Sequence, residues 1–210
     1  AYASPKGLMK VVDADRFTTR MTFNGALPAL PLVAADGEDD FSKARLYALV
    51  DEIYRQDKRT RWMGLDVEQS YWVGKAMGRL TLLIPIAEQV GHHAAKNLFV
   101  SELKERLEDW FDGQAPNYFY YDDTWKTLIG FPSSYGSDTV LNDHHFHWAY
   151  FILAAAEIAR HDSDWVKPEN YGGMVDMLIR DANGHRRGDD AFPFLRHFDA
   201  YAGHGWANGP

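Results

Sequence analysis

The chain has no cysteine, which excludes disulfide cross-links, thiolate metal ligands and a cysteine nucleophile while leaving secretion open. It is also short of positive charge. Lys+Arg 22 against Asp+Glu 30 leave a net charge of −8, and a nucleic-acid interface needs the opposite field. Long apolar runs are missing: the longest wholly apolar stretch, Trp148 to Ala156, falls far short of the ~20 residues of a membrane span. No GxSxG, P-loop, HExxH or helix-opening GxGxxG occurs, which removes the usual signals of nucleophilic hydrolases, nucleotide binders and zinc hydrolases. There is no strict repeat and no low-complexity segment. The first residue is Ala1 and no signal-like apolar segment follows it, so any targeting signal is expected to lie outside these residues.

What is present in excess is aromatic: 7 Trp, 11 Tyr and 12 Phe, or 14%. Such a surplus suits a thick core or a lined binding cleft, and composition alone leaves both open. With 46% hydrophobic and 25% charged residues over 210 positions, the chain has the usage of a globular protein of one or two domains.

Residues 1–40 read as an extended, turn-rich lead-in. Asn24-Gly25, Pro28 and Pro31 punctuate it, and the acidic run Asp36 to Asp40 precedes a change of rhythm. From Phe41 the periodicity is helical. Leu46, Leu49, Val50, Ile53 and Tyr54 fall on one helical face, and so do Leu80, Leu83, Ile84 and Ala87, with Pro85 expected to kink that helix. Leu103, Leu107, Trp110 and Phe111 mark a third helix, which Gly113 is placed to stop. Trp148 to Ala156 is apolar all round and predicts a helix buried on every side. Val175, Leu178, Ile179 and Ala182 mark a fifth. Between the third and fourth helices runs a long aromatic and polar connection, 115–142, of the kind that often carries function. The fold class is mainly α.

Chemistry concentrates in three places. Asn142-Asp143-His144-His145-Phe146-His147 stands directly before the apolar helix. Asp143 or Asn142 there is a natural N-cap, but three histidines in four residues exceed a capping need. His144 and His147 are spaced i, i+3, so both can face one ion with Asp143 adding a carboxylate. Without HExxH or a second histidine pair at ligand spacing, a metal centre is the lesser reading, and no metal or other cofactor is expected. Tyr118 to Trp125 forms the second cluster. As a strand it sends alternate aromatics into the core, while Tyr and Trp faces also suit sugar rings and Asp122/Asp123 can accept from sugar hydroxyls. The third runs from Phe192 to Gly209, where glycines flank Trp206 and an Arg196–Asp199 ion pair is expected. Carboxylate chemistry in an aromatic-lined helical scaffold points to glycoside hydrolysis or polysaccharide lysis.

The stretch Asn142 to Tyr150 resembles the signature of glycoside hydrolase family 81, the endo-β-1,3-glucanases. The resemblance extends in order through Phe23 to Pro31, Tyr71-Trp72-Val73-Gly74-Lys75, Tyr121-Asp122 with Trp125, Leu178-Ile179-Arg180-Asp181, Phe192-Pro193 with Arg196 and Phe198-Asp199, and Gly203 to Gly209. It implies a catalytic (α/α)6 barrel, of which residues 41–210 are an incomplete part, in a larger enzyme that also carries an N-terminal β-sandwich. An interrupted barrel is expected to expose an apolar edge, with marginal stability or self-association as the consequence. The resemblance further implies endo-hydrolysis of β-1,3-glucan with inversion, in an extracellular enzyme whose partner is that polysaccharide, with neither nucleic acid nor membrane. Asp143 would be the general acid. Tyr121, Asp122, Trp125, His145, His147, His204, Trp206 and Lys75 would contact substrate, and the general base is a Glu expected beyond Pro210. A glucan-binding segment that does no chemistry is the alternative. Gly205 stands where the family commonly has Ser.

Overall fold

The structure is a computed structural model that describes residues 1–4, 7–16, 42–64, 69–114, 116–199 and 201–206. The segments Phe23 to Pro31, Asp36 to Asp40 and 207–210 lie outside the described residues. Near the start, β1 (Tyr2–Ser4) and β2 (Gly7–Met9) pair antiparallel. The helical part comprises α1 (Lys43–Arg55), α2 (Lys58–Arg61), α3 (Ser70–Val90), α4 (His93–Phe111), α5 (His144–His161) and α6 (Gly173–Asn183), with a π-helical turn (Pro168–Gly172) leading into α6. Two further antiparallel ribbons join β3 (Tyr118–Asp122) to β4 (Thr127–Phe131), and β5 (Phe198–Asp199) to β6 (His204–Gly205).

Local chemistry explains the helix boundaries. Ser42 Oγ accepts from Arg45 N at 3.1 Å to open α1, and Asp57 Oδ1 accepts from Thr60 N at 3.0 Å to open α2. Gly91, at φ 79°, takes the left-handed position that ends α3. Helix α3 runs through Pro85 as a single element. Gly113 follows the end of α4 at φ 69°.

Helix α3 sits in the middle of the assembly, packed by α1, α4 and α5. Its Val73, Ala76, Met77, Leu80, Ile84 and Ala87 are wholly buried, and Phe99, Leu103 and Leu107 of α4 join them. Two glycines let α5 approach closely. A Cβ on Gly74 would stand 2.8 Å from the Tyr150 ring, and one on Gly78 would stand 3.2 Å from it. At the other end Trp110, Phe119, Trp148 and Phe151 meet edge-on or tilted, with ring centroids 5.0–5.2 Å apart, which seats the β3–β4 ribbon on the helices. A buried bidentate ion pair, Arg61 with Glu102, ties α2 to α4, and Trp62 Nε1 donates to the same carboxylate at 3.1 Å.

Two readings of the helices need correction. Helix α5 is not buried on every side: Trp148, Phe151, Ala154, Ala155 and Ile158 face the core, while Ala149 and Ala156 are exposed. Small alanines interrupt the apolar run, so hydrophobic character alone did not define its buried face. On α6 the inward stripe is Leu178, Asp181 and Ala182, and Ile179 is 44% exposed.

Candidate active site

Asp143 stands at the N-cap position of α5, but its backbone is left-handed (φ 54°, ψ 27°) and its side chain makes no capping bond. The capping reading is therefore corrected. The partly buried carboxylate accepts from Asn142 Nδ2 at 3.3 Å, and nothing else in the first turn of α5 claims it as an N-cap. The loop before it is tightly wound. Tyr135, Leu141 and Asp143 all have positive φ, at 54°, 51° and 54°, a conformation that costs non-glycine residues energy and clusters at functional sites. Gly136 O collects the amides of Thr139, Val140 and Asn142, and Asn142 Nδ2 donates back to Tyr135 O at 3.0 Å.

Tyr135 links this loop to α3. Its hydroxyl accepts from Trp72 Nε1 at 3.1 Å, and its ring meets Tyr71 edge-on at 5.2 Å. Lys75 lies over Trp72 at 5.4 Å and over Tyr71 at 5.7 Å, a cation–π pair. It borders an open apolar groove of about 510 Å³ lined also by Met63, Leu82, Tyr150 and Leu153. The first cluster thus joins Asp143, through its loop, to an aromatic wall on α3.

The three histidines in the first turn of α5 differ in their surroundings. His147 is wholly buried; its Nδ1 lies 2.8 Å from Ser70 Oγ, its Nε2 has no partner, and burial holds its pKa down at about 4. That ring holds α5 to α3 rather than meeting solvent. His144, also buried, approaches Asp181 Oδ2 at 3.2 Å. His145 meets His197 edge-on (centroids 5.4 Å apart), on which the His144 ring also stacks at 6.1 Å, and a Cβ on Gly205 would lie 3.8 Å from the His145 Nε2. Burial, then the neighbouring His144, lowers the His145 pKa, and the same effects hold His197 at about 4. Among the described residues no group of three His, Cys, Asp or Glu side chains is placed to hold a metal ion.

Exposure along β3 does not follow the alternation expected of a strand: the neighbours Tyr120 and Tyr121 are both 40% exposed, although Tyr121 shares a strand face with Phe119. Phe119 enters the core, while Tyr121 stays 40% exposed, donates its hydroxyl to Ala191 O at 2.6 Å and meets Phe192 edge-on. Asp122 Oδ1 accepts from Trp125 N at 2.8 Å, so this carboxylate shapes the ribbon turn and presents the exposed Trp125. At the C-terminal side, His204 and Trp206 are exposed and pair edge-on at 4.7 Å; Trp206 N donates to His197 O at 2.9 Å. His145 thereby neighbours the segment that carries His204 and Trp206. Among the described residues, no hydrogen bond joins Tyr121 or Trp125 to Asp143.

Arg196 pairs with Asp181 at 3.0 Å, not with Asp199. Asp199 instead accepts the amides of Ala202 and Tyr201, which lower its pKa and close the β5–β6 turn. Asp181 is the residue that composition and periodicity missed. It is fully buried and accepts from Trp148 Nε1 at 2.7 Å, Leu128 N at 2.9 Å and Thr127 Oγ1 at 3.0 Å. Burial pushes its carboxyl up, but His144, Arg196 and Trp148 outweigh that and hold it below the usual carboxylate value. The signal was present in Leu178 and Asp181, three apart on an otherwise apolar stripe.

The scaffold is mainly helical, with a lightly engaged carboxylate at the mouth of α5 and an exposed Tyr135 on the same loop. The glycosyl hydrolase family 81 C-terminal domain description matches residues 41–210, and the chain belongs to this family. It is 50% identical, over all of its own length and 27% of the relative's, to a glucan endo-1,3-beta-D-glucosidase of Thermobifida fusca. A protein of the same name from Acetivibrio thermocellus is 44% identical over 99% of this chain and 26% of its own. A solved mutant of a glycoside hydrolase family 81 protein from Clostridium thermocellum superposes with a TM-score of 0.75 at 46% identity, over 88% of this chain and 25% of that one. The chain spans about a quarter of the length of the curated relatives it matches.

Proposed function

We propose that this chain supplies the general-acid side of an inverting endo-β-1,3-glucanase. The observation that carries the reading is Asp143: a carboxylate at the mouth of α5 that makes no capping bond, is partly open to solvent and, among the described residues, accepts from Asn142 Nδ2. Its role is to protonate the departing glycosidic oxygen. A second carboxylate, the Glu that the family resemblance puts beyond Pro210, activates water on the opposite face of the sugar, at a separation of roughly 6.5–9.5 Å. The names of the relatives and the family membership support the substrate and the bond cleaved.

Substrate contact falls to the exposed aromatic and polar side chains. Tyr121 and Trp125 on the ribbon, and His204 and Trp206 on the C-terminal segment, offer flat faces and polar tips to glucose rings. Lys75, Asp122 and His145 orient neighbouring sugar hydroxyls, while His147 acts from inside the protein by fixing α5 to Ser70. The fold is part of an (α/α)6 barrel from residue 41 onward, in a protein with a preceding β-sandwich. A polymeric glucan places the work outside the cell, and no helix among the described residues is long and apolar enough to cross a membrane.

The test is a laminarin digest by this chain and, in parallel, by a chain extended past Pro210 through the next acidic motif. Activity confined to the extended chain supports the split assignment. Hydrolysis by the 210-residue chain alone would place both carboxylates within it and overturn the account of the base.

A further inference from the structure

Asp181 is remote from Asp143 in sequence and takes no part in the proposed proton transfer, yet its hydrogen bonds reach each segment assigned to the glucan cleft. On α5 it holds His144 and Trp148, the residue after Asp143 and the residue one turn later, at 3.2 and 2.7 Å. On the ribbon it holds Leu128 N and Thr127 Oγ1, at 2.9 and 3.0 Å. These two positions are the register partners of Tyr121 and Asp122. Through Arg196 it reaches the third segment: Nη2 contacts Oδ1 at 3.0 Å and Nε donates to the Asp181 carbonyl at 3.3 Å. The same guanidinium donates to the carbonyls of Lys126 and Trp125, at the turn that presents the Trp125 ring.

We propose that Asp181 is a positioning residue, one buried carboxylate that registers the start of α5, the β3–β4 ribbon and the 195–206 segment against one another and so sets the geometry of the glucan cleft. The kinetic part of this proposal rests on the glucanase reading above; the mechanical part does not. A left-handed Asp143 without a capping bond depends on its neighbours for its position, and His144 and Trp148 are the anchors just C-terminal to it. A carboxylate accepts at both oxygens, whereas an amide of the same shape must turn a donor towards Trp148, Leu128 or Arg196, all donors themselves. Loss of acceptor capacity in a fully buried network is not repaired by water.

Two measurements on the full-length protein decide it. In the first, Asp181→Asn is expected to lower kcat on laminarin about 100-fold, the scale of a small misplacement of reacting groups, while Thr127→Val, which removes one donor from the same carboxylate, lowers kcat by a smaller factor. A folded Asp181→Asn with wild-type kcat and KM would overturn the positioning role and leave a merely structural one. In the second, hydrogen exchange is followed by mass spectrometry. Asp181→Asn, or Thr127→Val where the asparagine variant does not fold, is expected to raise exchange together at Leu128, at the first turn of α5 and at Trp206. The expected change is about tenfold or more for Asp181→Asn, with α1 at its wild-type rate. An increase confined to Leu128 would overturn the proposal. If the wild-type protein leaves laminarin intact, the glucanase reading fails, and the exchange pattern still decides whether Asp181 couples the three segments.

Discussion

Asp143 sits in a backbone region that asparagine tolerates nearly as well as aspartate. Asp143→Asn is therefore expected to leave stability within about 0.5 kcal/mol of wild type, as read from urea unfolding, so that a loss of activity is a loss of chemistry. Gly205→Ser tests the neighbouring segment. Among the described residues a Cβ there meets His197 O at 3.6 Å and His145 Nε2 at 3.8 Å, both ordinary contacts. The variant is expected to fold with an unchanged thermal midpoint; a large drop would mean that the 197–206 segment packs more tightly than described. Asp143 was legible because histidines crowd around it and its surroundings resemble a known family. Asp181 was far less so. An acid beside Arg180 near the end of a helix looks solvated in a sequence, and its partners come from positions 127, 128, 144, 148 and 196, which no local pattern connects.

At the scale of elements, periodicity located the five longer helices because each carries an apolar stripe, as Val73, Ala76, Met77 and Leu80 show in α3, and passed over the four-residue α2, which has none. It located faces less well. Alanine is small enough to be exposed cheaply, which is why the apolar run of α5 does not imply burial all round, and Ile179 shows that an apolar residue beside a stripe need not join it. The β3–β4 ribbon was visible only as an aromatic cluster, since pairing across the Trp125–Lys126 turn is set by Asp122 capping that turn and by Lys126 adopting φ 53°. The α3–α5 contact yields its own prediction. Gly74→Ala would raise helix propensity by about 1 kcal/mol in an open helix, but here the added methyl meets the Tyr150 ring at 2.8 Å. The strain is expected to win, destabilising the chain by about 1–3 kcal/mol in urea, and a stabilised variant would show that the ring moves aside.

For the molecule as a whole, the buried His147 and the half-buried His197 set a pH limit. His147 and His197 titrate at about 4 in the folded chain against an ordinary 6.5. Between those values the unfolded chain binds protons that the folded chain refuses, so stability rises with pH across that window. The thermal midpoint is expected to be flat above pH 6.5, to fall as pH drops from 6.5 to about 4, and to fall further below the ordinary carboxylate value of 3.8 as Asp181, whose pKa is lowered, is finally protonated. A midpoint constant from pH 8 to pH 4 would contradict this. The enzymatic account meets its most direct test in a comparison of leaving groups. In the full-length protein, Asp143→Asn should lower kcat/KM on laminarin by roughly 10²–10⁴, the contribution of a positioned general acid. On an aryl β-1,3-glucoside whose phenolate departs without a proton, the same variant should retain most of its activity. Equal losses on both substrates, or no loss on laminarin, would contradict Asp143 as the acid.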